Sequence, residues 1–434
     1  MAIVPHLGGV RAALIARVFR RNIVLMTLFE FLWGLGNPFA MYLTIVPAYL
    51  TALAAPKSVI GAAMALWTVL APIQLLGGHF FSGRRRVRIA AAVFAAAVAV
   101  RFLHDLALVL APGIWTPPSA IAVFLASCAW YVGGMVLGQS IYVGVVTDNV
   151  PQRQRGLLYG VRAAGLGLGA VASSAAAAWV LGSLPSPANY RTALLIGDGI
   201  FIASCLTLLF VRDAGWRPPV LREPGFVRAL AAKARILGGD PNYRVFLFFH
   251  LLNAMANSLG AFIVPFAKER LGVDDARIAL LTVVVLGVNA VFASGFGRLA
   301  DRFGYRMAGT AHALLLVASF LVAATARGYA AICVAYGLQG MVSFSLMFVL
   351  VNMSVELRPA MSAPDLAALG NTILLPFLAV VSPLAGMVVD LSQSYLTVFV
   401  LGAAIALVAG GGFLALVREP RTGRLYTVAS PPMR

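Results

Sequence analysis

Twelve stretches of this chain are each apolar for about twenty residues or more, and nothing constrains a fold more tightly. At 1.5 Å of rise per residue, about 20 helical residues cross the roughly 30 Å hydrocarbon layer of a bilayer. The stretches fall at about 23–47, 58–81, 88–111, 119–146, 156–182 and 191–211, then at 244–267, 275–296, 307–327, 329–353, 364–389 and 394–417. In lipid every backbone amide has to find its partner within its own segment, so each stretch is expected to be a helix. The expected class is an all-α integral membrane protein with twelve transmembrane helices in two sets of six.

Of the 434 residues, 61% are hydrophobic and 11% charged, well beyond the apolar share of a soluble domain. The net charge of +18 sits mostly in short clusters between apolar runs, which points to membrane topology and away from nucleic acid. One side collects Arg84, Arg85, Arg86 and Arg88, then Arg153 and Arg155, a long central basic loop, and Arg418, Arg421 and Arg424. The other holds only Lys57, Arg191, Lys268, Arg270, Arg277 and Arg327. The positive-inside rule puts the first side, with both termini, in the cytoplasm of a multi-pass inner (plasma) membrane protein. Residues 1–22 carry Arg11, Arg17, Arg20 and Arg21 with no small-residue cleavage site, so an uncleaved tail is expected, lying on the membrane surface as a short amphipathic helix. Cys128, Cys205 and Cys333 have neither metal nor disulfide spacing.

The domain boundaries read as 1–211, a cytoplasmic linker 212–243 rich in Pro and Arg that ends in the Gly238-Gly239-Asp240-Pro241 turn, and 244–434. The two halves look related. Ile45-Val46-Pro47 recurs 218 residues later as Ile263-Val264-Pro265, and the same offset lays Arg84 on Arg302 and Arg88 on Arg306. Repeats of this size mark secondary transporters.

Between the eighth and ninth runs lies Gly297-Arg298-Leu299-Ala300-Asp301-Arg302-Phe303-Gly304-Tyr305-Arg306, a charged stretch expected to form a tight turn at the membrane surface. Its pattern, G-x-L-x-D-R-x-G-x-R, resembles the loop signature of the major facilitator superfamily, the large group of twelve-helix secondary transporters. The resemblance implies two pseudo-symmetric six-helix bundles, a cavity lined by the first, fourth, seventh and tenth spans, and a gating loop here whose parts are Gly297, Asp301, Arg302, Gly304 and Arg306. In the equivalent first-half loop Gly83 stands where Asp301 does, so the acidic half of that signature is missing. Asp148-Asn149-Val150-Pro151 and Glu356-Leu357-Arg358-Pro359, after spans four and ten, occupy corresponding positions.

Polar side chains inside spans are costly and so mark candidate sites. Glu30, Trp33, Asn37 and Met41 share one helical face. Glu30 is the candidate for proton coupling or for a substrate cation, with a structural pair to Arg162 as the alternative. His250, Asn253, Asn257 and Gly260 repeat that spacing in span seven; the amides can serve a ligand or a helix-helix bond, and His250 reads as packed. Gln139 with Tyr142 and Gln339 with Ser343 are the entries for spans four and ten, and Asn371 and Asn289 are weaker ones. Arg101, deep in span three, needs an acidic partner, an anionic substrate or water, and Asp105 four residues on is the expected partner. Asp198 reads as structural. Substrate contacts are therefore sought at Glu30, Trp33, Asn37, Arg101, Gln139, Tyr142, Asn253, Asn257, Gln339, Ser343 and Asn371.

Gly165-Leu166-Gly167-Leu168-Gly169 is no dinucleotide loop, since no strand context accompanies it; Gly165 with Gly169 and Gly156 with Gly160 suit close helix packing. With no Walker loop, metal cluster or nucleophile-base grouping in the sequence, neither a cofactor nor an enzymatic activity is expected. The expected partners are a small-molecule substrate, protons and the lipid bilayer, with the chain acting as a monomer. The function these readings imply is secondary transport of a small solute by alternating access, leaning to export of an amphipathic compound. A lipid flippase or scramblase and a non-transporting membrane sensor are the alternatives.

Overall fold

The computed structural model describes residues 4–74, 76, 81, 86–150, 155–212, 239–342, 345–357 and 363–420. In the first half the helices are α1 (Val4–Ala40), α2 (Ile45–Ala52), α3 (Lys57–Val69), α4 (Arg86–Leu110), α5 (Pro117–Asn149), α6 (Arg155–Ser183) and α7 (Ala188–Thr207). The second half holds α8 (Pro241–Leu259), α9 (Ile263–Leu271), α10 (Asp275–Phe303), α11 (Tyr305–Ala324), α12 (Tyr329–Val342), α13 (Ser345–Leu357), α14 (Ala363–Ser392) and α15 (Tyr395–Ala415). Among the described residues, ten helical stretches are long and apolar enough to cross a bilayer, and the shorter apolar helices α3 and α12 stand where the second and tenth spans are expected. The chain is an all-α membrane protein of the twelve-helix, two-bundle kind. Gly83, Arg84, Arg85, Arg358, Ser343 and nearly all of the central linker and the basic tail lie outside the described residues.

Both bundles begin with a broken span. α1 gives way to turns at Met41–Thr44 before α2, and α8 passes through a 3-10 turn at Gly260–Phe262 before α9. Ile45 and Ile263, the first residues after each break, are the same positions that the 218-residue repeat pairs. Lipid tolerates such irregular backbone only where protein buries it, and Ile45, Val46, Ile263 and Val264 are fully buried.

Within the first half α1 packs along α6 and α7, and α4 along α5. Gly165 and Gly169 sit on the α1 backbone at Thr27 and Phe31, and Gly34 answers against the Leu166 carbonyl, so any side chain there would push the helices apart. Gly160 takes no such part, because open space surrounds it. The halves meet along two seams, α3 against α14 and α6 against α10. In the first, Gly61 lies on the Ser382 carbonyl and Gly386 on the Lys57 carbonyl.

Two expectations about the surface change. The stretch 297–306 is mostly helix: α10 continues through Phe303, α11 starts at Tyr305, and the turn is Gly304 alone, at φ 86° and ψ 168°. Gly297, Arg298, Asp301 and Arg302 are thus the last turns of a helix reaching beyond the apolar layer. Residues 4–22 likewise run without interruption into the first span instead of forming a separate helix.

Candidate functional site

A cavity of about 450 Å³ opens among α1, α3, α4 and α5 of the first bundle. Glu30, Trp33 and Asn37 of α1 line it together with Met41 just past the helix end, with Trp67, Tyr131 and Gln139 opposite. Helical spacing explains the alignment of the first three, since 3 and 7 residues return to one side of a helix. Trp33 is fixed by stacking on Phe201, with ring centroids 4.2 Å apart at 17°. The walls are chiefly aromatic and aliphatic, and Glu30, Asn37 and Gln139 supply the polar groups.

Glu30 is held by Arg162 of α6, which donates from Nε to Glu30 Oε1 at 3.0 Å and from its second nitrogen to the same oxygen. Their side chains keep 15% and 11% exposure, so the pair borders the cavity without being sealed from it. The guanidinium also rests over the Tyr142 ring, its carbon 4.8 Å from the centroid. Tyr142 itself is buried among Phe29 and Phe94, beneath the pair and outside the cavity wall.

Arg101 is not in the cavity, and its partner is not the expected one. It donates from Nε to Asp198 Oδ2 of α7 at 2.7 Å, and from Nη2 to Oδ1. Asp105 turns to His104, whose Nδ1 lies 2.9 Å from its Oδ1. The helix-internal spacing of four made Asp105 the obvious choice, but Asp198 presents both oxygens to the guanidinium fork, the stronger geometry. Arg101 sits nine residues before the end of α4 and Asp198 ten after the start of α7, so both are about 14–15 Å inside the same face. Tyr131 separates them from the cavity, its ring centroid 3.8 Å from the Arg101 guanidinium carbon.

Among the described residues, none of the second bundle lines this cavity. Asn253 is buried and donates to the Gly309 carbonyl of α11 at 3.1 Å, the helix-helix alternative. His250 packs beside Phe246, with centroids 5.7 Å apart. Gln339 donates to Ser319 at 3.2 Å and lies against Gly260 at the span-seven break. Asn257, Asn289 and Asn371 are half-buried away from the cavity.

On the face opposite the termini, side chains tie the bundles together. Asp275 of α10 accepts from Tyr190 Oη at 2.6 Å and Asn189 Nδ2 at 2.7 Å, and pairs with Lys268, which donates to Tyr190 at 2.7 Å. Lys57 Nζ meets Glu269 at 2.5 Å, and Asp390 accepts the Lys57 and Ser58 amides of the first turn of α3 at 2.8 and 3.0 Å. Deeper in, the Thr44 and Thr282 hydroxyls bond at 2.6 Å and Tyr336 donates to the Leu43 carbonyl at 3.2 Å, beside the first-span break. At the opposite end, Glu419 accepts the Arg306 amide at 2.9 Å and so caps α11 over Gly304. Asp301 is exposed on the final turn of α10.

The family model described as Major Facilitator Superfamily matches residues 31–363. No curated protein matches the sequence. Among solved structures, a variant of the nucleoside transporter NupG superposes with a TM-score of 0.70 at 15% identity, covering 91% of this chain and 100% of its own. A POT family transporter in complex with 5-aminolevulinic acid gives 0.68 at 11%, covering 92% and 96%. The E. coli xylose transporter XylE, partially occluded and inward open, gives 0.64 at 16%, covering 92% and 99%. At these identities the likeness is one of fold.

Proposed function

Because the chain belongs to the major facilitator superfamily, whose model spans more than half of it, we propose that this secondary transporter moves a small amphipathic solute through the cavity of its first bundle, coupled to protons at Glu30. The observation that carries the reading is the Glu30–Arg162 pair at the edge of a largely apolar space. A carboxylate paired to a guanidinium there has two ways to change partner: it can take a proton, or a cationic group of the solute can replace Arg162. Either frees Arg162 to swing further over Tyr142, so occupancy of the cavity and protonation of Glu30 become linked.

Trp33, Asn37 and Gln139 are the solute contacts in this reading, the first by its face and the amides by hydrogen bonds. Asn257, Asn371 and the second-bundle amides then serve the partner wall once the bundles close around the solute. With the basic loops inside, the tied face is the outer one. The largely aromatic and aliphatic lining is what favours export of an amphipathic compound in this reading.

The test is a thermal-shift screen of the purified protein against soluble metabolites, drugs and lipids at two pH values. A ligand at 100 times its Kd stabilises by about 2.7 kcal/mol. A soluble compound whose shift depends on pH in the wild type but not in Glu30→Gln supports the reading. Stabilisation by lipids alone sinks it and turns the assignment to lipid handling.

A further inference from the structure

The cluster behind Tyr131 takes no part in the cavity wall, and its charges do not balance. Arg101, Asp105 and Asp198 are each fully buried, two carboxylates facing one guanidinium. Asp198 takes the guanidinium with both oxygens. Asp105 uses Oδ1 toward His104, while its Oδ2 is buried without any donor, as is the far ring nitrogen of His104. The two carboxyl groups interact with each other as well as with the guanidinium.

Among the described residues, no cation besides Arg101 and His104 is placed against either carboxyl group. From α5 the neighbours are Cys128 and Tyr131, from the first span Tyr42 and Tyr49, and from α7 Cys205. Arg191, on the outer turn of α7, lies beside Tyr49. Two carboxylates thus share one guanidinium, while the far ring nitrogen of His104 has no acceptor to hold a second ring proton, so the buried group carries one negative charge too many. An uncompensated charge at this depth is strongly unfavourable, and the cheapest way to remove it is to bind a proton.

We propose that Asp105 and Asp198 hold one proton between them, making the cluster behind Tyr131 a proton-binding site distinct from Glu30. The proton enters from water onto Asp105 Oδ2, whose O–H then donates to the Asp198 carboxylate, and leaves by the same atoms. Placing it on His104 instead would leave the Nε2–H buried with no acceptor and two ionised carboxylates side by side. The Tyr131 ring has the guanidinium over its face and also lines the cavity, so the cluster lies directly behind the wall of the solute path. A coupling role for it rests on the transport reading. Its occupancy does not.

Infrared spectroscopy of the purified, full-length protein in lipid at neutral pH tests the occupancy directly, with no solute present. The carbonyl stretch of a protonated carboxyl group separates from that of a carboxylate. The expected result is a protonated band worth one group that Glu30→Gln keeps and that Asp105→Asn and Asp198→Asn each remove. A wild type without the band, or a band untouched by Asp105→Asn, overturns the proposal. Melting curves supply the second arm. Either single amide leaves one carboxylate for Arg101 and is expected to fold and melt near the wild type, whereas Asp105→Asn combined with Asp198→Asn strips Arg101 of both and melts far lower. Single variants as unstable as the double would mean that both carboxylates are ionised, against the proposal. Loss of the band with no soluble ligand ever found would leave this site standing while the transport reading fell.

Discussion

A guanidinium buried without water depends on the carboxylate it faces. Arg101 has Asp198 on its fork and a tyrosine on its face, which together permit a cation in the middle of a helix pair. Replacing Arg101 with Ala leaves the two buried carboxyl groups with no counter-charge for the ionised one. The expected cost is about 3–5 kcal/mol of stability, as for one partner of a buried pair removed elsewhere. Denaturation series at several pH values check it: the loss is to shrink as pH falls, because protonation discharges the orphaned groups. The Glu30–Arg162 pair keeps 15% and 11% exposure at the edge of the cavity, where water can reach a carboxylate left alone, so Arg162→Ala is expected to cost less than Arg101→Ala in the same measurement. At this scale the sequence was legible where chemistry is local. The shared face of Glu30, Trp33 and Asn37 follows from helical spacing alone. Asp198 lies 97 residues from Arg101, and nothing in either segment announces the other, so the local partner Asp105 was the natural reading.

At the scale of elements, length and hydropathy fix most of the helices, because a bilayer demands both. What they leave open is how a helix ends. The charged run from Gly297 to Phe303 looks like a loop by composition, yet its Arg, Leu and Ala residues are good helix formers, and the turn contracts to Gly304. Its backbone lies where only glycine is comfortable, and a methyl group would also strike the Glu419 side chain that caps the next helix. Gly304→Ala is therefore expected to cost about 1–3 kcal/mol, measured by thermal melting. The broken first spans were half visible, since the repeated Ile-Val-Pro string marks where each helix resumes but not the break of four residues before Ile45 or of three before Ile263. Helix crossings at Gly61 and Gly386 are likewise invisible to composition. A leucine at Gly61 is expected to wedge α3 from α14, seen as new reactivity of a cysteine placed beside that seam.

For the whole molecule, the two bundles meet along two seams and are tied on one face by Asp275, Lys57, Glu269 and Asp390. Alternating access requires that this face part as the other closes. Removing ties should shift the balance without unfolding either bundle, because each of these residues sits at a helix end. Asp275→Asn combined with Glu269→Gln is expected to broaden and lengthen the distance between spin labels at Leu53 and Gly272; an unchanged distance distribution would show that the tied face is held by packing alone.

Asp390 reaches across the seam to hold two main-chain N–H groups of α3, so one of the clasps between the bundles has no side chain on its donating end. Substitutions at Lys57 and Ser58 leave those donors in place, short of proline, so this clasp outlasts changes that would erase an ion pair. Each time the face parts, the same two amides meet bulk water and can trade hydrogen for deuterium. Their exchange rate is thus a tally of openings that needs neither label nor substrate, and a transported compound should announce itself by changing how fast those two positions are marked.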